Sequence, residues 1–533
     1  MKRRLLAATS VFAMLAGAAQ AETVLHILHT NDVHSRIEPI SDRDSTCDAE
    51  QTAAGECFGG MARIATKINE LRDRITAEGG NVIVLDAGDQ YQGSLFYTTY
   101  KGKEVVEFMN AIGYDAMAVG NHEFDDGPEG LAVLTDGVEF PVLSSNIDVS
   151  QSNVLADKVA KHAILEIGDQ KIGIVSALAM DTPETASPGP NVIFQDDADS
   201  LAAAAAELAD QGIDKVIALT HVGYLRDLEL AAEVPGIDAI IGGHSHTLLG
   251  DMDGATAAYP TMVDGAEGAQ VPVAQVYAYG KYLGHLTLTF DDAGVLTSVE
   301  GEPILLDASV PEDEAIAARV AEMAEPIAAL REEVVASTAA PINGDRDVCR
   351  AQECEMGNLV ADAMLDRVAD QGVTIAIQNG GGLRASIDAG EVTMGEVYTV
   401  LPFQNVLATF QLTGADVVAA LENGASQYEE AAGRFAQVAG LKYAVDPAAA
   451  AGSRISDVMV QKDGEWVAID PAATYGVATN NYMRGGGDGY EVFATKGQNA
   501  YDFGPDLAEV VAAYLGAQEG GYTPYVDGRI TVK

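Results

Sequence analysis

Basic residues are scarce in this chain: 31 lysines and arginines stand against 80 aspartates and glutamates, and the formal net charge of the 533 residues is −49. Such a charge repels phosphate polymers and anionic membranes, so nucleic-acid binding by a basic face is excluded as the main function, and an anionic substrate needs a locally positive site. Proline is also scarce, at 18 residues, whereas 48% of residues are hydrophobic, which excludes a mainly disordered chain. We expect at least two hydrophobic cores.

Cysteine is limited to four residues, which fall into two close pairs. Cys47 lies near Cys57, and Cys349 lies near Cys354. Neither spacing is that of a zinc knuckle, and better metal ligands lie elsewhere in the chain. We therefore expect two local disulfides, which are typical of an oxidising compartment.

The N-terminus has the three parts of a secretory signal peptide. Basic residues at positions 2–4 precede an apolar stretch over residues 5–18, and a small-residue cleavage site ends at Ala21. We predict that residues 1–21 are removed and that the protein is periplasmic or secreted; an uncleaved N-terminal anchor is the alternative. No later segment reaches about 18 consecutive apolar residues, so we expect no membrane anchor in the mature chain.

The rest of the chain divides into two α/β regions. Residues 22–310 alternate short β-rich runs, such as residues 82–85, with helical patterns, such as residues 61–71. This alternation predicts a layered α/β domain with its ligands at the carboxyl ends of the strands. Residues 311–338 are rich in alanine and glutamate and predict one long linker helix, and residues 339–533 form the second α/β region.

The most informative residues follow the predicted strands of the first domain, and they are of types that bind metals. They are Asp32-Val33-His34, Gly88-Asp89, Gly120-Asn121-His122-Glu123, His221 and Gly243-His244-Ser245-His246. Mixed imidazole, carboxylate and amide ligands suit divalent transition metals, and a carboxylate such as that of Asp89 can bridge two of them. Any one of these motifs is weak by itself, but together they predict a dimetal site.

In this order, the motifs resemble those of the calcineurin-like metallophosphoesterases. More narrowly, the segments around Asp32 and Asp89, Asn31-Asp32-Val33-His34-Ser35-Arg36 and Asp86-Ala87-Gly88-Asp89-Gln90-Tyr91-Gln92-Gly93, resemble the 5′-nucleotidase family, especially the ecto-5′-nucleotidases of animals. The resemblance implies a four-layer α/β-β/α sandwich as the first domain and an α/β substrate-binding second domain. It also implies two divalent metal ions. Zinc is the preferred metal, and manganese, cobalt and iron are the alternatives.

The resemblance also implies which residues hold each metal. The first metal would be held by Asp32, His34 and Asp89, and the second by Asp89, Asn121, His221 and His244. Whether His246 binds the first metal stays open. Its position is often Gln or Asn within the family, whereas the wider superfamily has a metal-binding histidine there.

His122 is the candidate proton donor. It directly follows the predicted ligand Asn121, so it should project into the same site, where it could donate to a phosphoryl or leaving-group oxygen. Asp125 could orient its ring and keep it protonated. The same pair is a catalytic dyad in the family that the sequence resembles, and the alternative is a loop histidine capped by a nearby aspartate.

Three loops of the second domain resemble the substrate-binding loops of ecto-5′-nucleotidases. They are residues 349–358, 379–384 and 482–489. Glycine lets backbone amides approach phosphate closely, and a guanidinium group binds two phosphate oxygens at once. The resemblance implies phosphate contacts by Arg350, Asn379 and Arg384, a ribose contact by Asp488, and stacking of the base between Phe403 and Tyr482. Tyr482 stands where the animal enzymes have Phe, which leaves the base preference open. Flexible loops with surface arginines, and plain core aromatics, are the alternatives.

The implied function is hydrolysis of nucleoside 5′-monophosphates, such as AMP, to nucleoside and phosphate by metal-bound water. Alternatives with the same chemistry are a nucleotide-sugar or nucleoside di- or triphosphate hydrolase and a 2′,3′-cyclic phosphodiesterase with 3′-nucleotidase activity. A non-catalytic nucleotide-binding surface protein is the alternative of another class, but it would have lost ligands, and none is missing. The expected partner is a small nucleotide, and the sequence leaves monomer and homodimer open.

Overall fold

The structure, a computed structural model, describes residues 22–533 except residues 43, 45, 48, 267, 463 and 503. The predicted signal peptide, residues 1–21, lies outside the described residues. Among the helices that the structure describes, none is long and apolar enough to cross a membrane.

Two six-stranded sheets form the centre of the first domain. In spatial order, the strands of the first sheet are Leu296–Leu305, Tyr282–Phe290, Thr23–Thr30, Asn81–Asp86, Ala116–Ala118 and Val142–Leu143. Those of the second sheet are Thr261–Asp264, Gln270–Ala274, Ala239–Ile241, Val216–His221, Gln170–Leu178 and His162–Ile167. The inner strands of each sheet pair in parallel, so their carboxyl ends lie along one edge.

The two sheets pack face to face, and helices cover their outer faces. Leu25 and Ile83 of the first sheet share a buried cluster with Ile174 and Ile217 of the second. The helices of this domain are Ala49–Ala54, Met61–Ala77, Leu95–Tyr100, Lys103–Ile112, Gly127–Gly137, Thr182–Thr185, Asp197–Asp210 and Tyr224–Glu233. Because side chains alternate along a strand, each sheet buries its other face under helices. This arrangement confirms the predicted four-layer sandwich.

The prediction of one long helix over residues 311–338 was wrong. The segment contains the helix Glu314–Ala324, the 3₁₀ turn Glu325–Ile327, the helix Ala328–Arg331 and the strand Val334–Thr338. Pro326 has no N–H to donate, which disrupts the helix at that point. Val334 and Val335 are β-branched and favour the extended strand, which pairs with a strand of the second domain. The helix Glu314–Ala324 packs on the core of the first domain.

The second domain has a five-stranded and a four-stranded sheet. In spatial order, the strands of the larger sheet are Ala436–Ala439, Val373–Asn379, Thr474–Asn480, Leu407–Thr413 and Gln498–Tyr501, and those of the smaller are Glu465–Ala468, Ile455–Lys462, Leu441–Val445 and Ile530–Val532. Its helices are Arg346–Cys349, Glu355–Arg367, Met394–Val400, Gly414–Gly424, Asn481–Arg484, Glu491–Lys496 and Leu507–Gly516. Two buried clusters form its own core.

The four cysteines form two disulfides, one in each domain. Cys47 is bonded to Cys57, and Cys349 is bonded to Cys354. Both bridges close short loops, and the second lies directly before the helix Glu355–Arg367.

Candidate metal centre between the two domains

The predicted metal ligands lie where strands of both sheets in the first domain end. Asp32, Asp89 and Asn121 follow three neighbouring strands of the first sheet, and His221 and His244 lie at the ends of two strands of the second sheet. Because the two sheets pack face to face, these loops converge at one edge of the sandwich.

Three overlapping groups of side chains have ligand atoms that all lie within 4.8 Å of one another. They are Asp32, His34 and His246; His34, Asp89 and His122; and Asp89, His221 and His244. Asp89 Oδ2 lies 3.1 Å from His221 Nε2 and 3.8 Å from His34 Nε2, so this carboxylate reaches both outer groups. Asn121 Oδ1 lies 2.9 Å from His244 Nδ1. The fold therefore brings all of the predicted ligands together.

His246, which the sequence left open, lies with the first group. Its Nε2 is 3.3 Å from Asp32 Oδ1 and 3.0 Å from His34 Nε2. Two neutral imidazole nitrogens at this distance can share only one proton, whereas one cation can accept a lone pair from each. This donor set fits a transition metal.

The protonation states of His34 and His246 also fit metal binding. Burial, reinforced by the charge of Arg384 or Arg346, holds the pKa of His34 and of His246 well below its usual range. Such imidazoles are neutral and keep a lone pair for a metal. Burial alone would raise the pKa of Asp89 and lower the pKa of His221. The attraction between their opposite charges outweighs burial, so the pKa of Asp89 lies well below its usual range and the pKa of His221 is raised to about 10.

The ligand-bearing loops have strained backbones. Five predicted ligands have positive φ angles: Asp32 (51°), His34 (52°), Asp89 (57°), His244 (75°) and His246 (55°). Non-glycine residues rarely adopt this region, and it persists at functional sites where surrounding contacts fix the backbone. One such contact is the hydrogen bond from His244 N to Asp32 Oδ1, at 3.0 Å.

Glu123 is a site residue to which the sequence assigned no role. Its buried carboxylate accepts hydrogen bonds from four backbone N–H groups: those of Asp89 (3.0 Å), Gln90 (2.9 Å), Tyr91 (3.1 Å) and Gly120 (2.7 Å). It thereby ties the Asp89 loop to the Asn121 loop. Its place in the Gly-Asn-His-Glu motif was the available signal.

His122 and Asp125 form the expected pair. His122 Nδ1 lies 2.7 Å from Asp125 Oδ2, and Gln92 Nε2 donates to the same oxygen at 3.2 Å. Burial alone would lower the pKa of His122, but the charges of Asp125 and Asp89 outweigh burial and raise it. The ring stacks on Phe403 of the second domain, with 5.6 Å between the ring centroids.

A cavity of about 1030 Å³ lies between the metal-ligand groups and the second domain, and residues of both domains line it. The predicted substrate residues all line it: Arg350, Asn379, Arg384, Phe403, Tyr482 and Asp488. Arg384 Nη2 reaches across to within 2.9 Å of His34 Nε2, and Asn379 Nδ2 donates to Asp488 Oδ2 at 2.7 Å.

Two further buried or cavity-lining arginines had no predicted role. Arg36 is buried with its guanidinium 5.1 Å from the ring of Tyr279, and Arg346 lines the cavity and contacts the backbone oxygen of His244 at 3.4 Å. Within the described part of the chain, Arg36, Arg346, Arg350 and Arg384 form no ion pair with a carboxylate. In a chain of net charge −49, the three of these arginines that line the cavity, Arg346, Arg350 and Arg384, supply the local positive charge that an anionic substrate needs.

Known proteins match this chain over both domains. Residues 25–248 match the family model described as calcineurin-like phosphoesterase, and residues 334–495 match the one described as 5′-nucleotidase, C-terminal domain. The 5′-nucleotidase of Homo sapiens is 38% identical over 531 residues, which cover 95% of this chain and 90% of that protein. The snake venom 5′-nucleotidase of Naja atra is 37% identical, with coverages of 95% and 98%.

A solved structure matches at the level of the whole fold. The 5′-nucleotidase precursor from Thermus thermophilus is 40% identical, with a TM-score of 0.90, and the match covers 96% of this chain and 99% of that one. The family predicted from the motifs is therefore confirmed. The chain belongs to the 5′-nucleotidase family of the calcineurin-like metallophosphoesterases.

Proposed function

We propose that the protein hydrolyses nucleoside 5′-monophosphates, such as AMP, to nucleoside and inorganic phosphate with the help of two divalent metal ions. The observation that carries this proposal is the cavity in which the metal-ligand groups and His122 of one domain face unpaired arginines of the other. Relatives that share both domains along 95% of the chain are 5′-nucleotidases, which supports the same substrate class.

The residues that would hold the two ions form two sets that meet at Asp89. One set is Asp32, His34, His246 and Asp89, and the other is Asp89, Asn121, His221 and His244. Bound there, two ions would activate a water molecule and neutralise the phosphoryl oxygens. The mixed imidazole and carboxylate donors favour zinc, with manganese, cobalt or iron as alternatives.

The remaining steps fall to side chains of the protein. Arg350 and Arg384 bind phosphoryl oxygens, which positions the phosphate against the first domain. Asp125 holds His122 Nδ1, so Nε2 is the atom that donates a proton to the departing ribose oxygen. Phe403 and Tyr482 stack on the base, which favours nucleosides of any base. Asp488 accepts hydrogen bonds from ribose hydroxyls.

We also propose that the protein works in the periplasm or outside the cell. The two disulfides support this location, since such bonds persist in oxidising compartments. Cell fractionation, followed by N-terminal sequencing that begins at Glu22, would agree with removal of residues 1–21. A cytoplasmic protein that begins at Met1 would contradict it.

The test is phosphate release from AMP by the purified protein before and after EDTA treatment, with the cleavage of UDP-glucose and 2′,3′-cyclic AMP followed in parallel by chromatography of the nucleotide products. We expect AMP to be hydrolysed preferentially, EDTA to abolish turnover, and added zinc or manganese to restore it. Asp89→Asn should lose activity, because this carboxylate belongs to both ligand sets. Turnover of only the other two substrates would refute the assignment of monophosphates while keeping the metal site.

A further inference from the structure

The two domains touch beside the cavity at the short helix Thr182–Thr185 of the first domain. Glu184 Oε2 accepts a hydrogen bond from Arg434 Nη2 of the second domain at 3.0 Å. The backbone oxygen of Glu184 lies 2.7 Å from the Tyr482 hydroxyl, which donates to it. We call these two bonds the Glu184 contact. Both second-domain partners line the cavity.

The close ion pair of Arg434 is formed with the first domain. Its side chain is only 9% exposed, and Glu184 is its one carboxylate partner within 4.0 Å among the residues that the structure describes. Its other hydrogen bonds go to neutral oxygens, Asn423 Oδ1 at 3.5 Å and Ser426 Oγ at 3.4 Å. A nearly buried guanidinium needs a compensating charge, and here that charge lies on the other domain.

The Tyr482 hydroxyl is occupied by protein groups. Its single proton can go to Glu184 O, at 2.7 Å, or to Asp488 Oδ1, at 3.0 Å, and its oxygen accepts from the Asp488 N–H at 3.1 Å. No donor is left over for a nucleobase. The hydroxyl that distinguishes Tyr482 from Phe therefore serves the domain contact rather than recognition of the base.

Both second-domain residues of the Glu184 contact are linked by hydrogen bonds to Asp488, the residue proposed to bind ribose. The Tyr482 hydroxyl accepts a hydrogen bond from the Asp488 N–H at 3.1 Å, and Asn423, a partner of Arg434, donates to the backbone oxygen of Asp488 at 2.9 Å. Asp488 has a φ angle of 54°, which a non-glycine residue keeps only when its surroundings fix it. The contact is thus connected to the orientation of the ribose-binding carboxylate.

We propose that Glu184, Arg434 and the hydroxyl of Tyr482 are positioning residues that join the nucleoside-binding part of the second domain to the first domain, without selecting the base. The inference rests on the proposed function, because that function assigns this part of the cavity to a nucleoside. The Glu184 side chain is 51% exposed and the Arg434 side chain only 9% exposed, so breaking the pair returns Glu184 to solvent but leaves Arg434 without its carboxylate partner.

A charge exchange tests the ion pair. We expect Glu184→Arg and Arg434→Glu each to raise the KM for AMP about fivefold, with kcat within about twofold of the wild type, because like charges then face each other. The double variant restores the pair in reverse and should return KM to within about twofold of the wild type. A double variant that folds like the wild type but shows no recovery would overturn the proposal.

Glu184→Gln tests the pair without burying a new charge. Its KM for AMP should be about threefold above that of the wild type in dilute buffer, and the two should converge near 1 M NaCl, where the Debye length is about 3 Å. Glu107→Gln is the matched control: it removes the same charge from an ion pair with Arg319, at 2.6 Å, on the first-domain side alone. The control should keep the wild-type KM; an equal effect of both variants would refute the contact's role.

Tyr482→Phe tests the hydroxyl while keeping the ring. We expect KM for AMP, GMP, CMP and UMP to rise by one common factor, since the hydroxyl bonds only the protein. A change confined to one base would show that the hydroxyl selects the base and would overturn this part of the proposal.

Small-angle X-ray scattering of the metal-loaded protein separates this inference from the proposed function, because it needs no turnover. Glu184→Arg should have a larger radius of gyration than the wild type, and the charge-exchanged double variant should return to the wild-type value. An unchanged radius in Glu184→Arg would refute the contact. A wild type that does not hydrolyse AMP would refute the function alone.

Discussion

At the scale of single residues, the proposed mechanism assigns proton donation to one side chain, His122. We expect His122→Ala to lower kcat for AMP by about 10²- to 10⁴-fold, the usual contribution of a positioned proton donor. The two proposed ligand sets do not include His122, so metal content measured by elemental analysis should stay at the wild-type level. Asp125→Asn, which keeps the shape of the partner, is the milder companion variant. Loss of metal in His122→Ala would contradict the assignment and identify His122 as a ligand.

The residues that could be predicted are those that lie in short motifs. Asp32, His34, Asp89 and His244 each follow a strand, and their types alone indicate a metal. Glu123 could not be assigned in the same way, because its role depends on four backbone N–H groups that come from two separate loops. Arg346 and Glu184 were missed for a similar reason: their partners lie on the other domain, and a single sequence contains no signal for such contacts.

At the scale of elements, the ends of the strands are packed so closely that one added methyl group should disturb the metal centre. A Cβ atom on Gly120 would overlap the backbone nitrogen and carboxylate of Asp89 and would lie 2.7 Å from Glu123 Oε2. We expect Gly120→Ala to weaken metal binding by about tenfold or more and to lower activity accordingly. Isothermal titration calorimetry with the metal would measure the change in affinity.

Gly79→Ala is the control for this substitution. Gly79 has a φ angle of 80° but no atom within 4 Å of the added Cβ, so only backbone strain results. We expect a loss of about 1 kcal/mol of unfolding free energy with unchanged metal affinity. Equal metal affinities of the two variants would contradict the importance of close packing at Gly120.

The elements that the sequence predicted well are those with a strong local pattern. The strands Asn81–Asp86 and Val216–His221 contain continuous apolar runs, and the helix Met61–Ala77 has a clear apolar stripe, which its buried residues confirm. The prediction of one helix over residues 311–338 was wrong because it relied on the alanine and glutamate content. It overlooked two local signals, Pro326 and the neighbouring residues Val334 and Val335. Pairing of that strand with the second domain is a long-range contact that composition does not contain.

At the scale of the whole molecule, the ligand sets connect the two sheets of the first domain but involve no second-domain residue. Metal should therefore stabilise the first domain selectively. A metal present at 100 times its dissociation constant adds about 2.7 kcal/mol, which corresponds to a shift of about 4–5 °C for a domain of this size. In differential scanning calorimetry, EDTA should lower one transition by that amount and leave the transition of the second domain in place. Equal shifts of both transitions would contradict a metal site confined to the first domain.

The net charge of −49 acts on the folded molecule as a whole. Most acidic side chains repel one another across the surface, and the Debye length falls from about 30 Å at 0.01 M salt to about 3 Å at 1 M, so added salt removes much of this repulsion. We expect the melting temperature of the metal-loaded protein to rise by several degrees between 0.02 and 1 M NaCl, and KCl to act equally, since screening does not depend on the identity of the cation. The Michaelis constant for AMP should rise over the same range, because the arginines proposed to bind phosphate are screened as well. A melting temperature that does not change with salt would show that the acidic surface serves solubility alone.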